Sequence, residues 1–207
     1  MTTLFIKKSH ELLKHASIIK KLYSVVQISP CTLKTALLQI ELTPFTNLTI
    51  TISTSDLDIL LQEDTFKIED KQIQIISSFN IHNTSITVNK VIKLLDTNFP
   101  DIKMSNPNVS FKSSYFYMLK IFKENELTFL FKNNELKVFT SEVELFINDF
   151  KLICGEDIEF VLRSKDLVFL TCYENEEVKV EVYDTCVLFV INFEESTLYS
   201  RVPIIIN

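Results

Sequence analysis

Asn98-Phe-Pro-Asp-Ile-Lys-Met-Ser-Asn-Pro-Asn-Val109 is the stretch that organises this sequence. Its two prolines mark a bridge. On each side of it lies one short lysine-bearing amphipathic helix followed by a long run of alternating strands. That arrangement predicts two similar β-rich halves joined by a crossing linker. The expected boundaries are 1–95 for the first half, 96–110 for the connector and 111–207 for the second half.

Before the bridge, Ser9 can cap a helix running to about Ser24. Leu12, Ala16, Ile19 and Tyr23 recur at spacings of four and three, so they form one buried stripe. Lys14, Ile18 and Lys21 make another face, with Lys20 beside it. Leu37–Leu42 and Asn47–Ser53 then alternate with period two, which means one buried and one wet face and hence an antiparallel sheet. Asp58–Gln62, Phe66–Ile68, Gln72–Ile76 and Thr84–Val88 continue the strands.

After the bridge, Ser113 or Ser114 starts a helix from Tyr115 to about Glu124, with Tyr115, Met118, Leu119 and Phe122 inward and Lys120 and Lys123 near one edge. Leu127–Phe131, Glu135–Phe139, Glu142–Ile147 and Asp157–Leu162 read as strands, and Glu177–Tyr183, Cys186–Phe193 and Thr197–Ile205 as a closing meander. Residues 163–173 are ambiguous. Their composition favours strand, whereas repetition of the first half favours a helix capped by Ser164 with Leu167 and Leu170 inward. The helix is the reading taken here.

Composition excludes several chemistries. The chain has 207 residues, 46% of them hydrophobic, enough for a globular core. It has one glycine, Gly155, so no Gly-rich phosphate loop and no nucleophile elbow can be built. His10 and His15 are five apart on a helix and do not share a face, and with His82 they make no triad. The pairs Asp56/Asp58 and Glu142/Glu144 share strand faces but read as solvated surface. Cys31, Cys154, Cys172 and Cys186 lack CxxC spacing, and each lies in or beside an apolar run. Buried free thiols are therefore expected, with no metal and no cofactor.

Charge is unevenly placed. The net charge is -6, yet residues 1–107 carry 11 Lys against 10 acids, and residues 108–207 carry 10 Lys and Arg against 17 acids. Six lysines lie within residues 1–34 against Glu11 alone. Such a local basic patch can be a solvated helix face, or it can touch nucleic acid while the acidic remainder repels it. The charged start lacks a leader's apolar segment, and no apolar run approaches the roughly 20 residues that span a bilayer. Cytosol or nucleus is the expected compartment.

Ala36-Leu-Leu-Gln-Ile-Glu-Leu-Thr with Leu48-Thr-Ile-Thr-Ile resembles the strand pair ahead of the interdomain connector in the Hus-type subunit of the heterotrimeric DNA-damage checkpoint clamp. Ile86-Thr-Val-Asn-Lys-Val, Leu94-Leu95 and Pro107-Asn-Val-Ser-Phe111 are similar to that connector and the entry to the second domain. Tyr115–Lys123 matches the next helix, and Thr197-Leu-Tyr-Ser-Arg-Val-Pro-Ile204 resembles the closing strand. The second half also resembles the second domain of the wider sliding-clamp family, typified by proliferating cell nuclear antigen. The family opens with a strand–helix–hairpin unit, whereas this chain reads as starting near the second helix of a shortened first domain.

The resemblance implies an α+β sliding-clamp fold of antiparallel sheets with a few short helices on one face. It implies a non-enzymatic nuclear scaffold for DNA-damage checkpoint and repair, encircling duplex DNA within a hetero-oligomeric ring of clamp subunits. The helices would turn Lys7, Lys8, Lys14, Lys20, Lys21, Lys120, Lys123, Arg163 and Lys165 toward DNA phosphates, contacts that carry no sequence information. Phe99, Ile102 and Met104 would form part of a pocket for repair-protein peptides, or else simply tether the connector. Glu177–Tyr183 and Phe66–Ile76 are the expected edges for ring closure. The alternative is a clamp fold repurposed as a cytoplasmic, ribosome-bound dormancy factor.

Overall fold

The computed structural model describes residues 2–62, 65–81, 84–102, 106–133 and 135–206, with the backbone alone for 76–81 and 84–86. The chain forms two compact units. One holds residues 1–36 and 41–100, and the other holds 37–40 and 101–207. No described helix is long and apolar enough to cross a membrane.

The first unit opens with β1 (Thr2–Phe5), then α1 (His10–Leu22), β2 (Val25–Ser29) and β3 (Thr32–Lys34); β4 (Leu38–Leu42) is divided between the two units, and β5 (Ile50–Ser53) follows in the first. A 3₁₀ turn, Thr54–Asp56, leads into α2 (Leu57–Leu60), followed by β6 (Thr65–Glu69), β7 (Gln72–Ile81) and β8 (Thr84–Lys93). One ladder has the order β1–β6–β7–β8 and another contains β3–β2–β5, all antiparallel. The expectation of a first half lacking its opening strand is therefore corrected: β1 precedes α1 and pairs Leu4 with Phe66. Asp58–Gln62 is corrected too, because α2 occupies Leu57–Leu60. Leu57 and Leu60, three apart, are buried together, while Asp58 lies exposed between them, so Asp56 and Asp58 share no strand face.

α1 begins where the Ser9 hydroxyl accepts from the Leu12 amide at 3.1 Å, a side-chain cap for a donor the helix cannot satisfy. Leu12, Ala16 and Ile19 are buried as the periodicity predicts. His15 and Ile18 are buried as well, so the apolar stripe is wider than four residues and Ile18 leaves the lysine face.

The second unit runs β9 (Val109–Ser113), a 3₁₀ helix (Phe116–Ile121), β10 (Glu126–Lys132), β11 (Glu135–Phe139), β12 (Glu144–Ile147), β13 (Phe150–Cys154) and β14 (Ile158–Arg163). A second 3₁₀ helix (Ser164–Cys172), β15 (Val178–Val182), β16 (Cys186–Asn192) and β17 (Ser196–Pro203) complete it. Its ladders are β12–β11–β10–β14 and β13–β9–β15–β16–β17. The duplication is thus explicit within each unit. β9–β15–β16–β17 repeats the order of β1–β6–β7–β8, and β11–β10–β14 repeats β3–β2–β5.

Both helices of the second unit are tighter than the α-helix expected. Three residues per turn eclipses i, i+3 and i+6. Phe116, Leu119 and Phe122 are accordingly buried, as are Leu167, Leu170 and Tyr173. Tyr115, predicted inward on an α-helical period, is 42% exposed instead. Ser164 does not cap by its side chain; its amide donates to Asn125 O at 2.9 Å.

Phe111 organises the core of this unit. It stacks on Phe116 and Phe131, each with ring centroids 6.2 Å away, and meets Phe150 edge-on at 6.3 Å. Phe189 meets Phe116 and Phe169 edge-on at 6.0 and 5.9 Å, fastening both 3₁₀ helices to β16. The cysteine expectation fails for three of four. Cys186 is buried, whereas Cys31, Cys154 and Cys172 stand exposed near the ends of elements, where an apolar neighbour in sequence does not bring cover.

Candidate nucleic-acid interface and partner pocket

Six of the nine singled-out cations lie on or beside helices. Lys14, Lys20 and Lys21 belong to α1, the last two in its final turn, where the helix dipole favours positive charge. Lys120 is in the first 3₁₀ helix, Lys123 just follows it and Lys165 is in the second. Arg163 ends β14, opposite Glu126 in β10. Lys7 and Lys8 lie between β1 and α1, where Lys7 N donates to Phe45 O at 2.6 Å and Lys8 Nζ to Gln62 O at 3.1 Å.

Ion pairs engage Lys20 and Lys120 among the described residues. Lys20 of α1 pairs with Asp58 of α2. Lys120 pairs with Glu174 at 2.8 Å and lies 5.3 Å from the centroid of the Tyr117 ring. The hydrogen bond and charge of Glu174 raise the Lys120 pKa above its usual range. Glu124, beside Lys123, is held below the usual carboxylate range, first by its own backbone amide and further by the Thr140 hydroxyl, against the opposing effect of burial. The sequence showed the lysines and missed their partners, because Asp58 and Glu174 are brought in by the second helix of each unit, 38 and 54 residues away.

The helical parts of the two units differ in how their charges are arranged. In the first, Lys14, Lys20 and Lys21 stand with Lys7 and Lys8 against Glu11, Asp56 and Asp58. In the second, Lys120, Lys123, Arg163 and Lys165 are balanced by Glu124, Asp166, Glu174 and Glu176. Glu63 and Asp64 follow α2 in sequence, so neither unit has a formal excess around its helices; the first gathers Lys14, Lys20 and Lys21 on one α-helix.

The connector borders a cavity of about 290 Å³ in the second unit. Ile102 and Asn106 lie on one side, and Tyr183, Asp184 and Thr185, the turn between β15 and β16, on another. Cys186, Leu188 and Arg201 complete its sheet side. Ile102 is fixed by its amide, which donates to Gln39 Oε1 at 3.0 Å, and Asn108 Nδ2 donates to Asp184 Oδ1 at 2.7 Å. Of the two connector residues named from the sequence that are described, Ile102 lines this cavity and Phe99 does not. Phe99 is half-buried within the first unit, and Met104 lies outside the described residues. Arg201 and the β15–β16 turn were not legible, since their convergence on Ile102 requires the folded meander.

Both predicted edges are corrected. β15 lies between β9 and β16, and β6 and β7 are interior to their ladder. The ladder ends include β8, with Val88 and Val91 exposed, and β12, with Phe146 exposed. Among the described residues no group of three or more His, Cys, Asp or Glu could hold a metal ion; His82 lies outside them.

No protein-family model matches the chain, and no curated protein matches its sequence. Among solved structures it is similar to the proliferating cellular nuclear antigen of Entamoeba histolytica, with a TM-score of 0.70 and 12% sequence identity. The likeness covers 99% of this chain and 99% of that one. At that identity it is the fold that is shared.

Proposed function

We propose, from its α+β sliding-clamp fold of antiparallel sheets with few, short helices, that the chain is a non-enzymatic clamp subunit that encircles duplex DNA within a ring of clamp subunits. It would act in the nucleus as a scaffold for DNA-damage checkpoint and repair. The observation that carries this is the repeated unit: twice, a strand order with two short helices beside it, and in the first unit an α-helix ending in exposed Lys20 and Lys21. Lysines that reach phosphates without reading bases suit a protein that slides.

Ring closure by strand addition fits β8 and β12. Each ends a ladder with unpaired backbone on one side and carries exposed apolar side chains, a combination that favours pairing with another chain. The ring partners in this reading are other clamp-fold subunits. The cavity beside Ile102 is the place where repair-protein peptides would dock, its walls offering both apolar and hydrogen-bonding groups.

The test is recovery of the tagged full-length chain from cells before and after DNA damage. Damage-dependent chromatin association together with other clamp-fold chains supports the reading. Recovery with ribosomal subunits from quiescent cells, without chromatin association, overturns it and installs the dormancy-factor alternative.

A further inference from the structure

Among the described residues that line the cavity beside Ile102, Arg201 is the one cation, and its placement bears on what the cavity selects. We propose that Arg201 makes it a reader of acidic-apolar peptides, taking an apolar anchor on Leu188 and Ile102 and an Asp or Glu side chain on the guanidinium. This rests on the reading of the cavity as a peptide site.

Arg201 is on β17, with its amide tied to Leu37 O at 3.0 Å and its side chain exposed at the cavity. Nε donates to Cys186 Sγ at 3.3 Å. That weak bond uses one of the guanidinium's five donors and leaves the terminal N–H groups for a ligand. Among the described residues no carboxylate stands within ion-pair distance of it. Asp184, the acid that lines the same cavity, is engaged by Asn108. Tyr183 is turned away likewise, its hydroxyl donating to Glu181 Oε2 at 2.8 Å. A guanidinium with open terminal donors matches a carboxylate in the paired, planar geometry that a lysine cannot offer. Leu188, buried on β16, supplies the apolar floor beside it.

The experiment is selection of random dodecapeptides displayed on phage against the intact protein, the R201Q and R201E variants, and a T185W variant that fills the cavity. Enriched peptides carrying Asp or Glu within a few residues of Leu, Ile or Phe are expected with the unmodified protein. R201Q keeps the apolar anchor, loses the acidic preference, and weakens an enriched Glu peptide about five- to tenfold against its Gln counterpart. R201E turns the preference toward Lys or Arg. Acidic enrichment that survives R201Q, or apolar enrichment with no acidic preference, overturns the role of Arg201. Enrichment unaffected by T185W, or no enrichment at all, overturns the peptide-site reading on which it rests. Because Arg201 is exposed, unchanged melting of R201Q separates the effect from misfolding.

Discussion

Lys120 Nζ donates to Glu174 Oε1 across 2.8 Å, joining the segments at the ends of the two 3₁₀ helices in the second unit. Lys20 and Asp58 make the corresponding pair between α1 and α2 in the first. Among the described residues each unit thus has an exposed ion pair tying its helices, and that pair withdraws its cation from any polyanion.

Freeing Lys120 should strengthen DNA contact. In Glu174→Gln the ammonium loses its partner and becomes available to a phosphate. The expected outcome is two- to threefold tighter binding of a duplex at low salt, and a log–log salt slope steeper by about 0.9, one counterion's worth. Fluorescence anisotropy across a salt series reads both. Folding stability should hardly change, since both side chains are more than half exposed.

The grouping of Lys14, Lys20 and Lys21 on α1 predicts unequal roles for the units. Lys21→Glu changes an exposed lysine of that group and should weaken duplex binding about tenfold at low salt. Lys123→Glu, next to the ionised Glu124, should cost markedly less. Equal losses in the two variants would contradict a first-unit-dominated contact.

How far the sequence discloses this molecule depends on the range of the interaction concerned. Period-two alternation found most strands, because one covered face writes itself locally, as in Leu127, Phe129 and Phe131. β1 escaped notice because its four residues bury only Leu4 and depend on β6, some 60 residues later. α2 was read as a strand although Ser53 caps the preceding turn and Leu57 and Leu60 sit three apart; the alternation of Asp56-Leu-Asp-Ile concealed that signal. The lysines of the candidate interface were visible, but neither their carboxylate partners nor the free ladder edges were. Those follow from which strands and helices lack or find a distant neighbour.

Burial of His15 makes stability pH-dependent in a defined window. Its imidazole is wholly covered on α1, and burial lowers its pKa from 6.5 to about 4, with Glu11 opposing and Lys14 reinforcing the shift. Above pH 6.5 the group is neutral in both states. As pH falls from 6.5 toward 4 the unfolded chain takes up a proton that the folded chain refuses. The folded state should therefore lose about 3 kcal/mol across that window. Urea unfolding at pH 7, 5.5 and 4.5 should show a shallower pH slope for His15→Gln than for the unmodified protein, by about one proton.

Core and edge aromatics should respond oppositely to truncation. Phe111→Ala removes the ring on which Phe116 and Phe131 stack and should cost about 3–5 kcal/mol. Phe146→Ala, at 52% exposure on β12, should change stability by no more than about 0.5 kcal/mol. If β12 is a ring contact, the same substitution should lower the apparent mass of the assembly in light scattering while leaving the melting of the dissociated subunit unchanged.

Gly155 is the position where this chain cannot substitute Asn, Asp or Lys for glycine as it does in its other turns. Asp70, Lys71, Asn133 and Asn175 all tolerate φ between 50 and 68°, the left-handed region open to short polar residues. Gly155 has φ of 107°, beyond that region, and closes the passage from β13 to β14. A Cβ there would stand 2.5 Å from Asn108 O and 2.7 Å from Val109 Cα, both backbone atoms at the start of β9. Neither can rotate away, and Asn108 N is itself committed to Val182 O at 2.8 Å. Gly155→Ala should therefore cost at least about 2 kcal/mol, strain and contact acting together. Gly155→Asn should not recover it, because the obstruction is the Cβ and not the side chain beyond. Thermal unfolding gives the cost, and faster amide exchange at Asn108 and Val109 would locate it; an alanine variant melting like the parent would show that β9 can shift to make room.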